Sequence, residues 1–600
     1  MPHFALLDDA VDNRAKLYQR HQYSQFLSPG QLHELDARLQ SGWQKGWHAV
    51  LFADYEFGLP LQKLPNPTPT WLALHWFADL TEINQPEAWL QTHYPSDEPA
   101  GITTPHSDTG KAAYLEAVEA IQAAIARGDT YQINYTTRLH LQSYGHPAKL
   151  YRRLRQPVPY GVLAHLPDQA GQPQWTLCFS PELFLNIGSD GLITTEPMKG
   201  TAPILNDGHD EARAQALQAD PKNRAENIMI VDLLRNDLGK IAQTGKVHAP
   251  APFKVSRFGS VWQMTTAITA QAKPDTSVAD IFQAAFPCGS ITGAPKRMSM
   301  QIIGHTETAP RGLYTGSIGW LEPCLSGIGF HGCFNVVIRT LQLGNFSDGL
   351  YQGVYGVGSG IVADSIAADE YTECQWKSRF IRELAPECAL FETMRVHQKS
   401  CALQTLHLAR LQQSARALNL PFDSQSAATA LSDYLAALPD NGLYRVKMDL
   451  SLSDGLRFSH AAHADFSTPQ SALLAAEALT NHDYLRRFKT SHRARYDEGW
   501  QRAAQQDAFD SLFFNQNGHL LEGGRSNVFV RFGTQWHTPP LHLDILNGVM
   551  RQHIMQQPQL FLNTDKVAES LITREQLAAA DEIRLCNALR GVFPVTLKPA

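Results

Sequence analysis

The sequence predicts an α/β (α+β) protein made of two parts, and three observations carry that reading. Short apolar runs of strand character alternate with segments whose apolar residues recur every three or four positions. At 600 residues the chain exceeds the ~250–300 at which a single core stops growing. Near Glu383-Leu-Ala-Pro-Glu387 the pattern resets and a new strand opens at Ala389. The boundary is therefore placed there, giving parts 1–385 and 386–600, and the short joint predicts that the two pack closely.

In chain order, residues 1–100 are rich in aromatic residues, Gln, His and Pro and have little periodicity. Residues 110–127 have helical apolar spacing and end at Gly128, a C-terminal stop. Strands are expected around 131–141, 160–165, 175–187 and 191–196. Asp220-Pro221 supplies an N-cap and a first-turn proline for a helix whose inner face is Ile230, Leu234, Leu238 and Ile241. Strands at 330–343 and 351–354, a helix at 366–384 and a strand at 389–396 follow. No repeat of 20–50 residues is present.

Composition removes several classes. With 43% hydrophobic and 18% charged residues the chain is neither disordered nor collagen-like. Lys+Arg 51 against Asp+Glu 58 gives −7 with no basic block, so no nucleic-acid partner is expected. No basic n-region with an apolar h-region opens the sequence, and no apolar run reaches the ~20 residues of a membrane span. Eight cysteines without a CxxC pair or zinc spacing read as reduced thiols. The expectation is a cytoplasmic enzyme with no membrane contact.

The common phosphate loops fail. Gly289-Ser-Ile-Thr-Gly-Ala-Pro-Lys296 lacks the G-K-[ST] ending, and Gly356-Val-Gly-Ser-Gly360 lacks the third glycine of a dinucleotide fingerprint. Glu370, Glu373 and Lys377 stand at i, i+3 and i+7 and share one helix face; alone they read as a solvated pair worth ~0.3–0.5 kcal/mol. The segments also form a series: Ser180-Pro-Glu182, Pro197-Met-Lys-Gly-Thr201, the run from Arg224 to Asp237, Gly289 to Lys296, Ile338-Arg-Thr340, 356–364 and Glu370 to Lys377. In this order, over roughly 105–380, the chain resembles the chorismate-utilising enzymes: the first components of anthranilate and aminodeoxychorismate synthases, and the isochorismate and salicylate synthases.

That resemblance implies large antiparallel sheets with flanking helices, and chorismate as substrate. It implies Mg²⁺ on Glu226 and Glu373 with Glu370 close by; Mg²⁺ favours one or two carboxylates plus substrate oxygens. Where relatives can carry a further acid, this chain has Asn223. Arg339, Lys377 and Tyr314, with backbone amides around Gly289, Ser290, Thr292 and Gly358, are implied to hold the substrate carboxylates. Lys199 separates the branches: Pro-Met-Lys-Gly-Thr is similar to the Pro-Ile-Lys-Gly-Thr of aminodeoxychorismate synthases, whereas anthranilate synthases carry alanine. A neutral amine there can add at C2 as the C4 hydroxyl leaves, so that ammonia enters at C4. Its pKa must fall for this, and Glu182, the general acid, must rise. Gln132 stands where isochorismate-forming relatives have a basic lysine, and glutamine cannot act as that base. No Gly-x-Cys-x-Gly elbow is present, so a separate glutamine amidotransferase subunit, or free ammonium, is implied.

Beyond residue 389 a second series runs Leu390-Phe-Glu-Thr-Met-Arg395, His407-Leu-Ala-Arg-Leu411, Lys489-Thr490, Asn515-Gln-Asn-Gly518, Leu521 to Phe529, Leu546-Asn-Gly-Val-Met-Arg551 and Cys586-Asn-Ala588. It is similar to the fold-type IV pyridoxal 5′-phosphate enzymes, which comprise aminotransferases and aminodeoxychorismate lyase. The resemblance implies a two-subdomain fold. Lys489 is the implied Schiff-base lysine, Glu522 the acid facing the pyridine nitrogen, and Arg410 with amides at Val549, Met550 and the Asn587 region the phosphate site. Fusion to the first part selects the lyase, whose relatives also imply a homodimer through this domain. The expected activity is synthesis of 4-aminobenzoate from chorismate. The alternatives are an anthranilate synthase fused to an aminotransferase, and a non-catalytic binding protein.

Overall fold

The computed structural model describes residues 2–66, 68–258, 261–440 and 442–598. Its first half is a serpentine of antiparallel pairings. One arm runs from Ala242–Phe258 through Val261–Ala272, Leu192–Glu196, Leu183–Ile187, Phe330–Asn335 and Ser317–Pro323 to His48–Ala53. Through Leu72–Asn84, Arg14–Leu27 and Phe4–Asp9 it passes to a second arm. That arm is Tyr160–Pro167, Pro173–Ser180, Thr340–Ser347, Leu350–Ile361 and Gln132–Tyr144. Each arm covers its own core: Leu51, Trp76, Phe282 and Phe334 in the first, Tyr114, Leu141, Trp175 and Tyr355 in the second.

The expected elements recur with informative differences. Lys111–Ala126 is helical, and Gly128 follows it at φ +82°, a conformation glycine adopts without strain. The 175–187 run divides into Pro173–Ser180 and Leu183–Ile187, which leaves Glu182 in the break. The strand expected over 330–343 is two strands, because Arg339 takes φ +52° and turns the chain between them. Likewise 366–384 breaks at Ser378 into Ala367–Lys377 and Arg379–Arg382. Residues 1–100 hold four of the serpentine's strands. Leu72 to Phe77 are buried on both faces, so the run is apolar but for His75 and lacks the alternation that marks a half-buried strand.

The second half has two subdomains. Leu390–His397, Leu443–Ser451 and Gly455–Ala462 form a three-stranded antiparallel sheet. Met394, Val396, Val446 and Met448 of that sheet share a core with Leu411, Ala415 and Leu431 of helices Gln404–Ala417 and Ser424–Ala436. An eight-stranded mixed sheet makes the rest. Tyr144 and Leu350 of the first half enter the same apolar cluster as Leu390 and Leu485. At the joint Glu387 accepts the Ala100 amide at 2.9 Å and lies 3.3 Å from Lys149. A cavity of about 740 Å³ opens there between 385–389 and 449–457, and none of the expected site residues lines it. All eight cysteines are unpaired. Among the described residues no helix is long and apolar enough to cross a membrane.

Candidate active sites

The first site is built on the helix Pro221–Gly239. Asp220 accepts the Asn223 amide at 2.7 Å and Pro221 fills the first turn, where a missing N–H leaves nothing unsatisfied. Gly289 lets the turn Gly289–Ile291 lie against this helix, since a methyl group there would come within 2.7 Å of Leu233. The two motifs are then fastened end to end by a buried ion pair, Lys296 Nζ to Asp237 Oδ2 at 2.5 Å. Removing one partner of such a pair costs ~3–5 kcal/mol. Behind the turn, Arg311 donates to Ile291 O at 2.8 Å, to Asn134 O at 2.6 Å and to Glu307 at 2.6 Å. Sequence reasoning passed over Lys296, Asp237 and Arg311 as working parts, although the first two end the quoted motifs.

Over this base converge the expected groups. A methyl group on Gly360 would lie 2.6 Å from Gln132 Nε2 and 3.3 Å from Lys199 Nζ, so both side chains meet above that glycine. Both polar atoms of the Gln132 amide, and Glu182 Oε1, are buried without a hydrogen-bond partner. A buried side-chain amide with neither polar atom satisfied calls for a polar ligand. Burial raises the Glu182 carboxyl above its ordinary range, against the pull of Ser290 and Lys199. Burial also lowers the Lys199 amine, with Glu226 opposing and Lys377 reinforcing. Both shifts run in the direction the sequence reading required. Gly360→Ala is expected to displace the Gln132 and Lys199 side chains and cut the activity of this site at least ~10-fold; steady-state kinetics of the full-length chain checks this.

Arg339 is a half-buried cation with no carboxylate within ion-pair distance among the described residues, and desolvation lowers its pKa. Tyr314 is buried, with its ring against Gly356 and 5.4 Å from the Arg138 guanidinium. Ser290 lies 3.2 Å from Cys288 Sγ, and the Thr292 hydroxyl donates within its own turn to Cys288 O and Gly289 O. Lys377 donates to Gly358 O at 2.9 Å and pairs with Glu373 at 2.7 Å. Burial pushes the Glu373 carboxyl up, but Lys377 outweighs it and leaves it below the usual range. Glu370 accepts from Ser365 at 2.7 Å. Glu226 is half-buried and raised by burial, then by Glu370 and Asp364. Among the described residues no three acids, histidines or cysteines share ligand geometry. Glu226, Glu370 and Glu373 are thus not a closed cage. Hard, mutually repelling carboxylates open to substrate oxygens nonetheless suit Mg²⁺.

The second site is set by Lys489, in the loop after the turn Tyr484–Arg487. Its Nζ stands 4.7 Å from the Phe391 ring centre. Burial, then Arg410 and Arg493, lower the amine to about 7. A cofactor-free chain is therefore expected to take up pyridoxal phosphate faster as pH rises through about 7, because the amine rather than the ammonium attacks an aldehyde. Visible absorbance against time at each pH measures it.

Glu522 is buried and pushed up to about 7 by burial. It accepts from Tyr496 OH at 2.9 Å and Asn527 Nδ2 at 3.1 Å. The N-terminus of helix Val549–Gln556 has no side-chain cap, which leaves the Val549 and Met550 amides for a phosphate. Arg410 donates to Glu392 Oε1 at 2.8 Å, and His407 lies 2.7 Å from Glu392 Oε2. Burial raises Glu392, yet Arg410 and His407 outweigh it and hold it at about 2. The Asn587 side chain closes its own turn by accepting the Leu589 and Arg590 amides. A lowered lysine, a buried acid and an uncapped helix end fit pyridoxal phosphate. Sequence reasoning missed Tyr496 and Arg493, which lie outside the quoted motifs, and gave Asn527, Glu392 and His407 no role although all three stand inside them.

Fold and site together define a chorismate binding enzyme: residues 8–383 match that family, and the chain belongs to it. Residues 389–597 match the class IV amino-transferases. Among relatives, an aminodeoxychorismate synthase from Streptomyces pristinaespiralis is 34% identical over 339 residues, covering 55% of this chain and 45% of that protein. Anthranilate synthase component 1 3 from Haloarcula marismortui is 38% identical over 283 residues, covering 47% and 53%. Aminodeoxychorismate synthase component 1 from Escherichia coli is 35% identical over 309 residues, covering 50% and 65%. The chain spans about half the length of the first two. A solved structure designated a 2,3-dihydroxybenzoate-specific isochorismate synthase, DhbC, from Bacillus anthracis shares the fold. Its TM-score is 0.52 at 18% identity, over 64% of this chain and 96% of that one. Identity does not separate the two synthase names, so the branch has to be argued from the site.

Proposed function

We propose that the chain makes 4-aminobenzoate from chorismate in two steps, residues 1–385 aminating the ring at C4 and residues 386–600 releasing pyruvate. The observation that carries the reading is Lys199: a half-buried lysine of lowered pKa beside the unpartnered Gln132 side chain, within the field of Glu182. Lys199 Nζ adds at C2 and the C4 hydroxyl departs as water with the proton of Glu182. Ammonia then bonds at C4, the C2–Nζ bond breaks, and the amine proton returns to the Glu182 carboxylate. The nitrogen ends para to the ring carboxylate. Arg339 and Lys377 hold the substrate carboxylates, and Glu226, Glu370 and Glu373 hold Mg²⁺, which screens the substrate's negative charge.

In the second half pyridoxal phosphate, when bound, supplies an electron sink. Glu522 would hold its ring nitrogen, Arg410 and the Val549 and Met550 amides would hold its phosphate, and Lys489 Nζ would take the C4 proton of the substrate. Aromatisation of the ring drives loss of pyruvate. Ammonia comes from a separate glutamine amidotransferase, in keeping with the "component 1" in the name of the Escherichia coli relative, or from free ammonium. A cytoplasmic homodimer through residues 386–600 completes the proposal, and solution scattering tests the dimer.

The deciding experiment supplies purified chain with chorismate, Mg²⁺, pyridoxal phosphate and excess ammonium at alkaline pH, then separates the products. 4-Aminobenzoate with equimolar pyruvate is expected. Anthranilate would place the first half on the other branch, and no product without Mg²⁺ would support the carboxylate assignment.

A further inference from the structure

We infer that the chorismate-binding half positions Lys489, so that the second active site is complete only with the first half packed against it. This rests on the reading of Lys489 as the pyridoxal phosphate lysine. Apart from the short turn Tyr484–Arg487, the segment 484–493 belongs to no helix or strand of its own. Something outside it must hold its course, and the first half grips it on both sides of Lys489.

On the N-terminal side, the Tyr484 ring lies 5.7 Å from the Tyr144 ring and 5.0 Å from that of Phe488. Arg487 donates to Asp348 O at 3.2 Å, at the hairpin tip between Thr340–Ser347 and Leu350–Ile361. Gly349, at φ +80°, makes this approach possible, since a methyl group there would come within 3.3 Å of the Tyr484 amide nitrogen. On the C-terminal side, His492 Nε2 lies 2.9 Å from Glu98 Oε2. The loop carrying Glu98 is itself fixed, because Lys149 donates to Ser96 O at 3.1 Å and Glu98 O at 2.8 Å.

Between these grips the backbone is fastened to the strand that leaves the joint. Phe391 N donates to Lys489 O at 3.0 Å, Ser491 N to Ala389 O at 2.8 Å, and Ala389 N to Ser491 Oγ at 3.0 Å. Glu98, Tyr144 and Asp348 all lie outside the residues that match the class IV amino-transferases. The second half therefore borrows this support.

The borrowed support is continuous with the first active site. Gln132–Tyr144 and Leu350–Ile361 pair in unbroken register, from Ile133↔Ile361 to Tyr144↔Leu350. Gln132, Gly358 and Gly360 stand at one end of this ribbon. Tyr144 and Leu350 stand at the other, in the cluster that holds Tyr484 and Leu485.

The test uses the full-length, pyridoxal phosphate-loaded protein with Glu98→Gln, Tyr144→Leu and the double variant. Two readouts are needed: the rate at which hydroxylamine strips the cofactor, and the pH midpoint of its visible absorbance. Glu98→Gln is expected to speed stripping ~2–5-fold, the size of one partly exposed ion pair. The double variant is expected to exceed ~10-fold and to move the midpoint, with chorismate consumption unchanged in Glu98→Gln. Wild-type stripping rates and midpoint in Glu98→Gln and in any folded Tyr144→Leu protein would overturn the inference. Glu98 is exposed, so its variant decides the matter even if the tyrosine variants fail to fold. A wild-type chain that takes up no pyridoxal phosphate would instead overturn the proposed function, and this inference with it.

Discussion

Lys199→Ala is expected to lower 4-aminobenzoate formation by about 10²–10⁴-fold, the usual range for loss of a group that acts on the reacting atoms. Residual amination should shift to C2 and give anthranilate, because nothing then occupies that carbon while ammonia attacks. Lys199→Arg separates nucleophile from charge: it keeps a cation near Glu226 and Glu182 but cannot present a neutral amine. Both variants should therefore fail at C4. Chromatographic separation of the two aminobenzoates, with chorismate, Mg²⁺ and ammonium supplied, measures it. A Lys199→Ala protein that still makes 4-aminobenzoate at the wild-type rate would remove the lysine from the mechanism.

Lys489→Ala should leave the first reaction running and stop the second. Chorismate is consumed, pyruvate release falls by about 10²–10⁴-fold, and the aminated intermediate accumulates in solution. The same variant loses the covalent hold on pyridoxal phosphate, so its visible absorbance disappears after gel filtration. Mixing Lys199→Ala with Lys489→Ala protein then asks whether one chain's intermediate reaches another's second site. Restored 4-aminobenzoate means that it is released and recaptured.

What the sequence made legible were the parts that local chemistry determines. Asp220-Pro221 begins a helix wherever it stands, and Gly128 ends one, because capping and left-handed φ depend on a few adjacent residues. Lys199, Glu182 and Gln132 were found because each sits in a short motif, and Lys199 and Gln132 meet above Gly360. What stayed hidden is set by distant partners. Arg311 is one arginine in a turn until Ile291, Asn134 and Glu307 come around it. Tyr496 reaches Glu522 across 26 positions, and no spacing rule marks it. The first half of the strand Leu72–Asn84 was unreadable because burial of Leu72 to Phe77 on both faces erased its alternation. Glu373 and Lys377 pair on one helix face, as their spacing predicts.

The serpentine has a consequence for how the chain is made. Its pairings join the strand at residue 4 to one ending at 167, the strand at 183 to one ending at 335, and the strand at 132 to one ending at 361. Such non-local pairing pays its loop-closure entropy late, which slows folding relative to locally wired helical domains. During synthesis at roughly 5–20 residues per second, no stable first half can close until Leu350–Ile361 has emerged. The chain beyond the joint is then already following, and it meets a freshly completed edge at Tyr144 and Leu350. Destabilising substitutions along the Gln132–Tyr144 ribbon should therefore lower the yield of soluble protein more than they lower the melting temperature of what does fold.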